Sequence, residues 1–249
     1  MNAHYLGLEG AAVVATEQLL DACDLVRVVA EARGMGAIYG PAGTGKTFAV
    51  GEAVRAMGSE DHVHTDFRCR PTVRYLRSVL YECLGLGQLV VGPFDADRTL
   101  KAALSERPRL VVIDEAQWLN RECFEYLRHL HDDPGTVFSL LFVGGPGCYE
   151  VLRREPMLDS RLYAHLRFRA LNESEVAAAI PLYHPIYYEV PAELVDLVDG
   201  HCAHGNFRNW AKFTHHALRF CRRTGRLRVN EDVARNVFRL LGGGFDAAI

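Results

Sequence analysis

One octapeptide near the N-terminus restricts this chain more than any other feature. It fits the pattern G-x-x-x-x-G-K-[ST] at every fixed position and reads Gly40-Pro41-Ala42-Gly43-Thr44-Gly45-Lys46-Thr47. The glycines let successive backbone N–H groups point inward, and the N-terminus of a following helix adds partial positive charge there. In such a loop Lys46 reaches the β- and γ-phosphates and the Thr47 hydroxyl binds Mg²⁺. We therefore predict that all eight residues bind ATP, with Mg²⁺ as the second cofactor.

The residues on either side of this loop support the same interpretation. Upstream, residues 36–39 form a short apolar run typical of a buried strand, and downstream Lys46 to Met57 reads as a helix without proline. The alternative is a glycine-rich turn that merely precedes a helix. The agreement of strand, loop, Lys-Thr pair and helix argues against that alternative.

An acidic pair follows the next long apolar run. Residues 110–113 are continuously apolar, as in buried parallel strands, and Asp114 and Glu115 follow directly. At the end of a strand beside the first, Asp114 can hold Mg²⁺ through water, while Glu115 points differently and can polarise the attacking water. We predict an ATPase with Glu115 and Lys46 as catalytic residues, the alternative being a strand that simply ends in acids.

Composition and charge place the chain among ordinary globular proteins. It has 249 residues, of which 49% are hydrophobic and 24% charged, and no run approaches the ~20 apolar residues that a membrane helix needs. Its seven cysteines lack a CxxC pair, which favours reduced thiols, and we predict a cytoplasmic protein without a membrane partner. His201, Cys202 and His204 lie close together, but this spacing is more typical of a polar helix end than of a zinc site.

Basic residues are placed unevenly in a chain whose net charge is only -3. The stretch from Gly200 to Asn230 contains no acid, and its cations are Arg208, Lys212, Arg219, Arg222, Arg223, Arg226 and Arg228. A second acid-free stretch, Phe67 to Arg77, carries Arg68, Arg70, Arg74 and Arg77. Either stretch could meet phosphates or an acidic neighbouring subunit.

Hydrophobic patterns predict alternating strands and helices up to residue 168 and helices only after Leu171. Strands are expected at residues 36–39, 63–67, 110–113, 137–143 and 165–168. This alternation predicts an α/β fold, with a parallel five-stranded sheet between helices and a small all-α lid. We expect domains at residues 1–171 and 172–249, the second ending in a flexible tail from Gly242.

Local signals add four details. Thr72 is expected to cap a helix in which Arg74, Arg77 and Tyr81 fall on a face that need not be buried. Asp95 is expected to cap the next helix. Asn172 and Glu175 form a capping-box-like helix start. The proline-rich stretch 181–191 is expected to separate two lid helices.

Several motifs occur in the order found in AAA+ ATPases. They are the phosphate loop, the Val-Val-Ile-Asp-Glu-Ala-Gln run at 111–117, the Phe-Val-Gly-Gly-Pro strand end at 142–146, Asp159-Ser160-Arg161, and Gly205-Asn206-Phe207-Arg208. On these motifs the chain resembles AAA+ ATPases from about Ala15 to Leu241. Within that family it looks most like the small ATPases of transposition, the Mu phage B protein and the TniB/TnsC type of target selector. ExeA-type and helicase-loader ATPases share most of these motifs.

The resemblance implies further site residues. Arg161 matches the arginine finger that enters the neighbouring subunit's site, with Arg153 and Arg154 as rivals. Such a finger is worth on the order of 10³–10⁵ in rate in related enzymes. Arg208 matches the lid's sensor arginine, which would touch the γ-phosphate of its own subunit. The family's polar residue after the fourth strand is replaced by Gly145, so a backbone group or Gln117 substitutes, or hydrolysis is slow.

The resemblance also implies partners. A target selector would form a homo-oligomer with nucleotide, as a helical filament or a ring, and would mark duplex DNA for a transposase. Its arginines would contact DNA phosphates without sequence specificity; the candidates are Arg68, Arg70, Arg74 and Arg77. The alternatives are a protein-directed ATPase of the ExeA type, a helicase-loader-like factor, and, for the basic stretch itself, ordinary solvated arginines.

Overall fold

A parallel sheet of five strands organises the part of the chain before Phe168. In the computed structural model, residues 5–58, 62–67, 69–88 and 92–242 are described, without the side chains of Tyr5, Pro156 and Met157. The strands are β1 (Met35–Tyr39), β2 (His62–Asp66), β3 (Arg109–Asp114), β4 (Phe138–Gly144) and β5 (Leu162–Arg167). They are hydrogen-bonded in the order β2-β3-β4-β1-β5, so the predicted parallel five-stranded sheet is confirmed.

Strand register places the carboxyl ends of the strands, where the phosphate loop and the acidic pair follow, at the same end of the sheet. Tyr39 pairs with Gly144 across β1 and β4, and Asp66 pairs with Asp114 across β2 and β3. Every residue of the central strand β4 is buried, whereas the edge strand β5 alternates between intermediate and exposed positions. This difference follows from position, because only an inner strand has neighbours on both sides and helices over both faces.

Helices connect the strands and cover the sheet. Up to Phe168 they are α1 (Glu17–Glu31), α2 (Lys46–Ala56), α3 (Val73–Cys83), α4 (Pro93–Ser105), α5 (Arg121–His131), α6 (Cys148–Arg153) and α7 (Pro156–Asp159), with a 3₁₀ turn at Ala116–Trp118. Their apolar sides form one core with the sheet, in which Leu76 of α3, Leu100 of α4 and Phe124 of α5 are almost fully buried. Thr72 caps α3 as predicted, since its hydroxyl accepts from the Tyr75 N–H at 3.2 Å.

Three local expectations for this part were wrong. Helix α4 begins at Pro93 with Gly92 as its cap, so Asp95 lies in the first turn, where a negative charge favours the helix. Tyr81 is only 4% exposed because it packs into the core between α3 and its neighbours. Strand β5 begins at Leu162, earlier than the predicted residue 165, and its alternating exposure hides it from a search for continuous apolar runs.

Helices alone follow Leu171. They are α8 (Glu173–Tyr183), α9 (Ala192–Val198), α10 (Phe207–Thr224) and α11 (Glu231–Leu240), with a 3₁₀ turn at Pro185–Tyr187 and a π-turn at Asp199–Ala203. The capping box of Asn172 and Glu175 is present. Pro181 does not end its helix, since α8 continues to Tyr183. Burial of Ile180 and Tyr183 on either side outweighs the backbone hydrogen bond that proline removes.

Contacts divide the chain into two compact units. One consists of the sheet and its helices, Leu20–Pro41 and Ala49–Phe168. The other, the helical unit, consists of the described residues within Met1–Leu19, Ala42–Phe48 and Arg169–Ile249. It therefore contains most of the phosphate loop. The domain division predicted at residue 171 stays a prediction, and residues 243–249 of the predicted flexible tail lie outside the described residues. No helix in the described part is long and apolar enough to cross a membrane.

Gly205 carries a stability prediction for the helical unit. Its φ is +65°, and a Cβ there would lie 2.1 Å from the Leu171 carbonyl oxygen. Gly205→Ala should lower the free energy of unfolding by about 3 kcal/mol, because overpacking costs ~1–3 kcal/mol and left-handed strain costs ~1–2 kcal/mol. Gly225→Ala is the matched control, since its φ is +69° and nothing lies within 4 Å. Urea unfolding checks the pair, and equal losses in both variants would contradict the close contact.

Candidate nucleotide-binding and hydrolysis site

The phosphate loop leaves β1 through a conformation that only glycine adopts readily. Gly40 has a φ of +147°, and a Cβ there would lie 2.2 Å from the Phe168 carbonyl oxygen. Its N–H donates to the Gly144 carbonyl oxygen at 3.2 Å, so the start of the loop is fixed at the edge where β4 ends. The close approach of three strands therefore explains the first glycine of the motif.

The loop is also fixed by the segment that leads into α10. The Asn206 side-chain amide donates to the Ala42 carbonyl oxygen at 2.8 Å, and the Arg208 backbone N–H lies 3.1 Å from the Gly43 carbonyl oxygen. The side-chain oxygen Oδ1 of Asn206 also accepts from the N–H groups of Arg208 and Asn209, which caps α10. A Cβ on Gly43 would lie 2.5 Å from that same oxygen. Asn206 thus joins the loop to the helix that carries the proposed sensor arginine, whose side chain is exposed.

The chemistry of the loop fits a chain of phosphates. Besides its N–H groups and hydroxyls, the loop contains the ammonium group of Lys46. Lys46 is only 9% exposed, and Thr44 is 5% exposed. A cation shielded from water interacts more strongly with an anion than one on the surface. Lys46 opens α2, whose N-terminus adds partial positive charge, and Thr47 follows it at an exposed position.

The acidic pair forms a tight turn at the end of β3. Asp114 is 8% exposed, and its Oδ1 accepts from the Glu115 N–H at 2.8 Å. Glu115 has a φ of +54°, in the left-handed region, and its side chain is exposed. His64 of β2 lies beside the pair, with Nε2 3.4 Å from Asp114 Oδ2. Sequence reasoning missed His64, and its only signal was a place on the strand next to β3.

Gln117 occupies the place where the expected polar residue after β4 is lacking. Its Oε1 accepts from the Gly145 N–H at 2.8 Å, and its Nε2 donates to a Glu115 carboxylate oxygen. A Cβ on Gly144 would lie 2.3 Å from Gln117 Oε1, so glycine leaves the room that this amide needs. The side chain therefore links the acidic turn directly to the end of β4.

The proposed arginine finger is held within its own chain. Arg161 stands just before β5, and its Nε lies 2.9 Å from Asp132 Oδ1. The other carboxylate oxygen of Asp132 pairs with Arg128 at 3.0 Å. The rivals differ, since Arg153 lies over the Tyr149 ring at 5.8 Å and Arg154 is exposed.

The basic segment Phe67–Arg77 divides into two kinds of arginine. Arg70 and Arg74 are exposed, and neither makes an ion pair or side-chain hydrogen bond to any residue that the structure describes. Arg77 instead pairs with Asp97 at 2.8 Å, is 16% exposed, and lies 4.6 Å from the Tyr126 ring. Arg77 is thus already paired with a partly exposed acid and an aromatic ring, and its role as a DNA contact stays a prediction. Arg68 lies outside the described residues.

The basic stretch of the helical unit is partly neutralised. Arg226 pairs with Asp232 at 2.9 Å, Arg222 lies 3.8 Å from Glu9, and Arg228 pairs with Glu189. These acids lie outside the acid-free stretch in sequence, so composition alone overstated its charge.

Near the start of the acid-free stretch, Cys202 Sγ lies 3.3 Å from the Val198 carbonyl oxygen, and burial raises the pKa of this thiol to about 12. The thiol is thus held neutral.

The sheet order and the site define the class of protein. A parallel sheet in the order β2-β3-β4-β1-β5, a phosphate loop after β1 and an acidic pair after β3 form the AAA+ P-loop NTPase fold. Residues 29–152 match the AAA domain family. This part of the chain is an AAA-type P-loop ATPase domain.

Solved structures share this fold. The ADPNP-ADP complexes of the Aeropyrum pernix ORC2 protein are 16% identical with a TM-score of 0.72, covering 97% of this chain and 71% of that one. Cdc6p from Pyrobaculum aerophilum is 15% identical with a TM-score of 0.75, at coverages of 96% and 70%. The Aeropyrum pernix ORC1 protein in complex with DNA is 18% identical with a TM-score of 0.70, at 93% and 66%. At these identities the likeness shows the fold alone. Curated protein sequences give no match.

Proposed function

We propose that this protein is an ATP-dependent, DNA-binding ATPase that assembles into a homo-oligomer on duplex DNA and selects target DNA for a transposase. The observation that carries the DNA part is the exposed pair Arg70 and Arg74, which no described acid neutralises. Arginines of this kind suit phosphate contacts that are insensitive to sequence.

The nucleotide part rests on the loop and the acidic turn. Bound ATP and Mg²⁺ supply the phosphoryl group to be cleaved and the charge that polarises it. Lys46 and the loop N–H groups would hold the phosphates, and Thr47 with Asp114 would hold the metal. Glu115 orients and polarises water, and the Gln117 amide holds the Glu115 carboxylate in place.

Assembly supplies the remaining residues. Arg161 enters a neighbouring subunit's site after leaving Asp132, and Arg208 reaches the γ-phosphate in its own subunit. Stacked subunits place copies of Arg70 and Arg74 along the duplex, so that binding becomes cooperative. A lone subunit, with a formal charge of -3, attracts DNA poorly.

DNA binding and the transposase as partner have different support. A protein of this fold, the Aeropyrum pernix ORC1 protein, has been solved in complex with DNA. The transposase as partner rests on the motif resemblance alone.

Arg70→Ala together with Arg74→Ala should weaken binding to all duplex sequences alike. Each phosphate contact adds roughly -0.9 to the slope of log affinity against log salt, so losing two contacts should flatten the slope by about 1.8. Titrations of duplex DNA at several salt concentrations, with a non-hydrolysable ATP analogue, check this. Nucleotide binding by single subunits should survive, since neither residue belongs to the loop.

The matched control is Arg222→Ala with Arg223→Ala on α10, which removes two exposed arginines of the rival basic stretch. If this control flattens the slope and the Arg70/Arg74 variant does not, the helical unit is the DNA contact. Electron microscopy with duplex DNA, with and without the analogue, tests assembly. A wild-type protein that ignores DNA at low salt with nucleotide present would reject the proposal in favour of a protein-directed ATPase.

A further inference from the structure

The side chain of Asn120 does more than a helix cap requires. Its Oδ1 accepts from the Cys123 N–H at 2.9 Å and caps α5. Capping needs only an oxygen, and aspartate or serine would serve as well. The amide nitrogen is used separately, since Nδ2 donates to the Pro71 carbonyl oxygen at 3.1 Å. The second bond therefore calls for a reason other than helix capping.

Pro71 lies in the middle of the basic segment. It follows Arg70 and precedes Thr72, the cap of α3, and it is buried. Its carbonyl oxygen also lies 3.4 Å from the Cys123 thiol, so two residues of the first turn of α5 hold one point of the segment. The position of Arg70 is set by this attachment.

A second contact between α5 and α3 lies farther along both helices. Tyr126 of α5 lies under the Arg77 guanidinium, and its hydroxyl donates to Asp97 at 2.6 Å. Burial, together with this hydrogen bond, raises the pKa of Tyr126 and keeps the hydroxyl protonated as the donor. Helix α5 and its cap therefore contact the basic segment both before Arg74, at Pro71, and after it, at Arg77.

The other end of this path is the acidic turn. Glu115 is followed at once by a hydrogen-bonded turn, in which the Trp118 N–H lies 3.0 Å from the Glu115 carbonyl oxygen. The Leu119 N–H lies 3.1 Å from the Ala116 carbonyl oxygen, and Asn120 comes next. No loose linker separates the Glu115 carboxylate from the start of α5. A change in how Gln117 holds Glu115 therefore reaches α5 directly.

We propose that Asn120 is a positioning residue that couples the acidic turn to the basic segment. Through it, the state of the nucleotide sets the placement of Arg70 and Arg74, and a ligand on these arginines sets the rate of turnover. The inference rests on the proposed function for the identity of that ligand, duplex DNA. Coupling of this kind is reciprocal for binding, so either ligand must change the affinity for the other by one factor.

Asn120→Asp and Asn120→Ser test the amide donor. Both keep an oxygen that caps α5, and both lack the N–H that reaches Pro71. Both should fold, because the Cys123 thiol still lies against the same carbonyl oxygen. Thermal unfolding verifies this. Asn172→Asp is the control, since Asn172 caps α8 through the same oxygen contact and lies in the helical unit.

Amide hydrogen exchange of residues 67–77, with and without a non-hydrolysable ATP analogue, measures the coupling without DNA. In the wild type and Asn172→Asp the analogue should change exchange there. In both Asn120 variants that change should disappear, while the change in residues 40–47 remains. Duplex DNA affinity should rise at least ~5-fold with the analogue in the wild type and not in the Asn120 variants.

The outcomes separate this inference from the proposed function. Asn120 variants with wild-type coupling would overturn the inference, and so would a wild-type segment that does not respond to nucleotide. A segment that responds in the wild type and not in the variants, in a protein without DNA affinity, supports the coupling and rejects DNA as the ligand.

Discussion

Lys46→Ala is expected to abolish ATP binding, whereas Glu115→Gln should bind ATP normally and lose turnover by about 10²-fold or more. The two residues act at different stages. The nearly buried Lys46 ammonium holds phosphate before any reaction, and Glu115 acts on the attacking water. Binding of a fluorescent ATP analogue and release of inorganic phosphate check the two effects separately.

Each variant has a matched control within the chain. Lys101→Ala removes a lysine that pairs with Asp133 at 2.7 Å and should leave nucleotide binding unchanged. Glu125→Gln alters an exposed glutamate on α5 that pairs with Arg121 and should leave turnover unchanged. Equal turnover in Glu115→Gln and the wild type would reject Glu115 as the residue that acts on water.

Arg161→Ala should lose turnover by a factor on the order of 10³–10⁵ while still binding ATP. Mixing it with Lys46→Ala should restore part of the activity, because an intact Arg161 from one variant can complete the intact loop of the other. The fold should persist, since the half-exposed pair with Asp132 is worth only ~0–1 kcal/mol. Phosphate release measured across mixing ratios checks the effect.

Arg154→Ala is the control for this experiment, since Arg154 is an exposed rival. It should keep wild-type turnover. If Arg154→Ala is inactive and complements Lys46→Ala while Arg161→Ala is active, the finger is Arg154. Folded, oligomerising variants that fail to complement would place Arg161 in its own subunit's site or outside the reaction.

Sequence patterns predicted the parts of this fold in which a local signal coincides with the final structure. The phosphate loop, the apolar run before Asp114, the Thr72 cap and the capping box of Asn172 each depend on residues a few positions apart.

The remaining features depend on residues that are distant in sequence. Nothing local shows that Asp97 neutralises Arg77, that Asp132 holds Arg161 or that His64 lies beside Asp114. Gln117 could be named as a substitute for the residue lacking at Gly145, but its bond to the N–H of that glycine depends on the packing of β4 beside β3. The proline-rich stretch does separate α8 from α9, but α8 continues two residues past Pro181 because burial of the neighbouring residues outweighs the local signal.

The bonds from Asn206 and Arg208 to the phosphate loop bear on how this protein can be divided. A fragment ending at residue 168 would contain every residue of the G-x-x-x-x-G-K-[ST] motif. It would nevertheless lack the amide that meets the Ala42 carbonyl and the N–H that meets the Gly43 carbonyl. The shortest segment able to present this loop in its native shape therefore extends into α10, and expression fragments or chimaeras designed around the motif should include that helix.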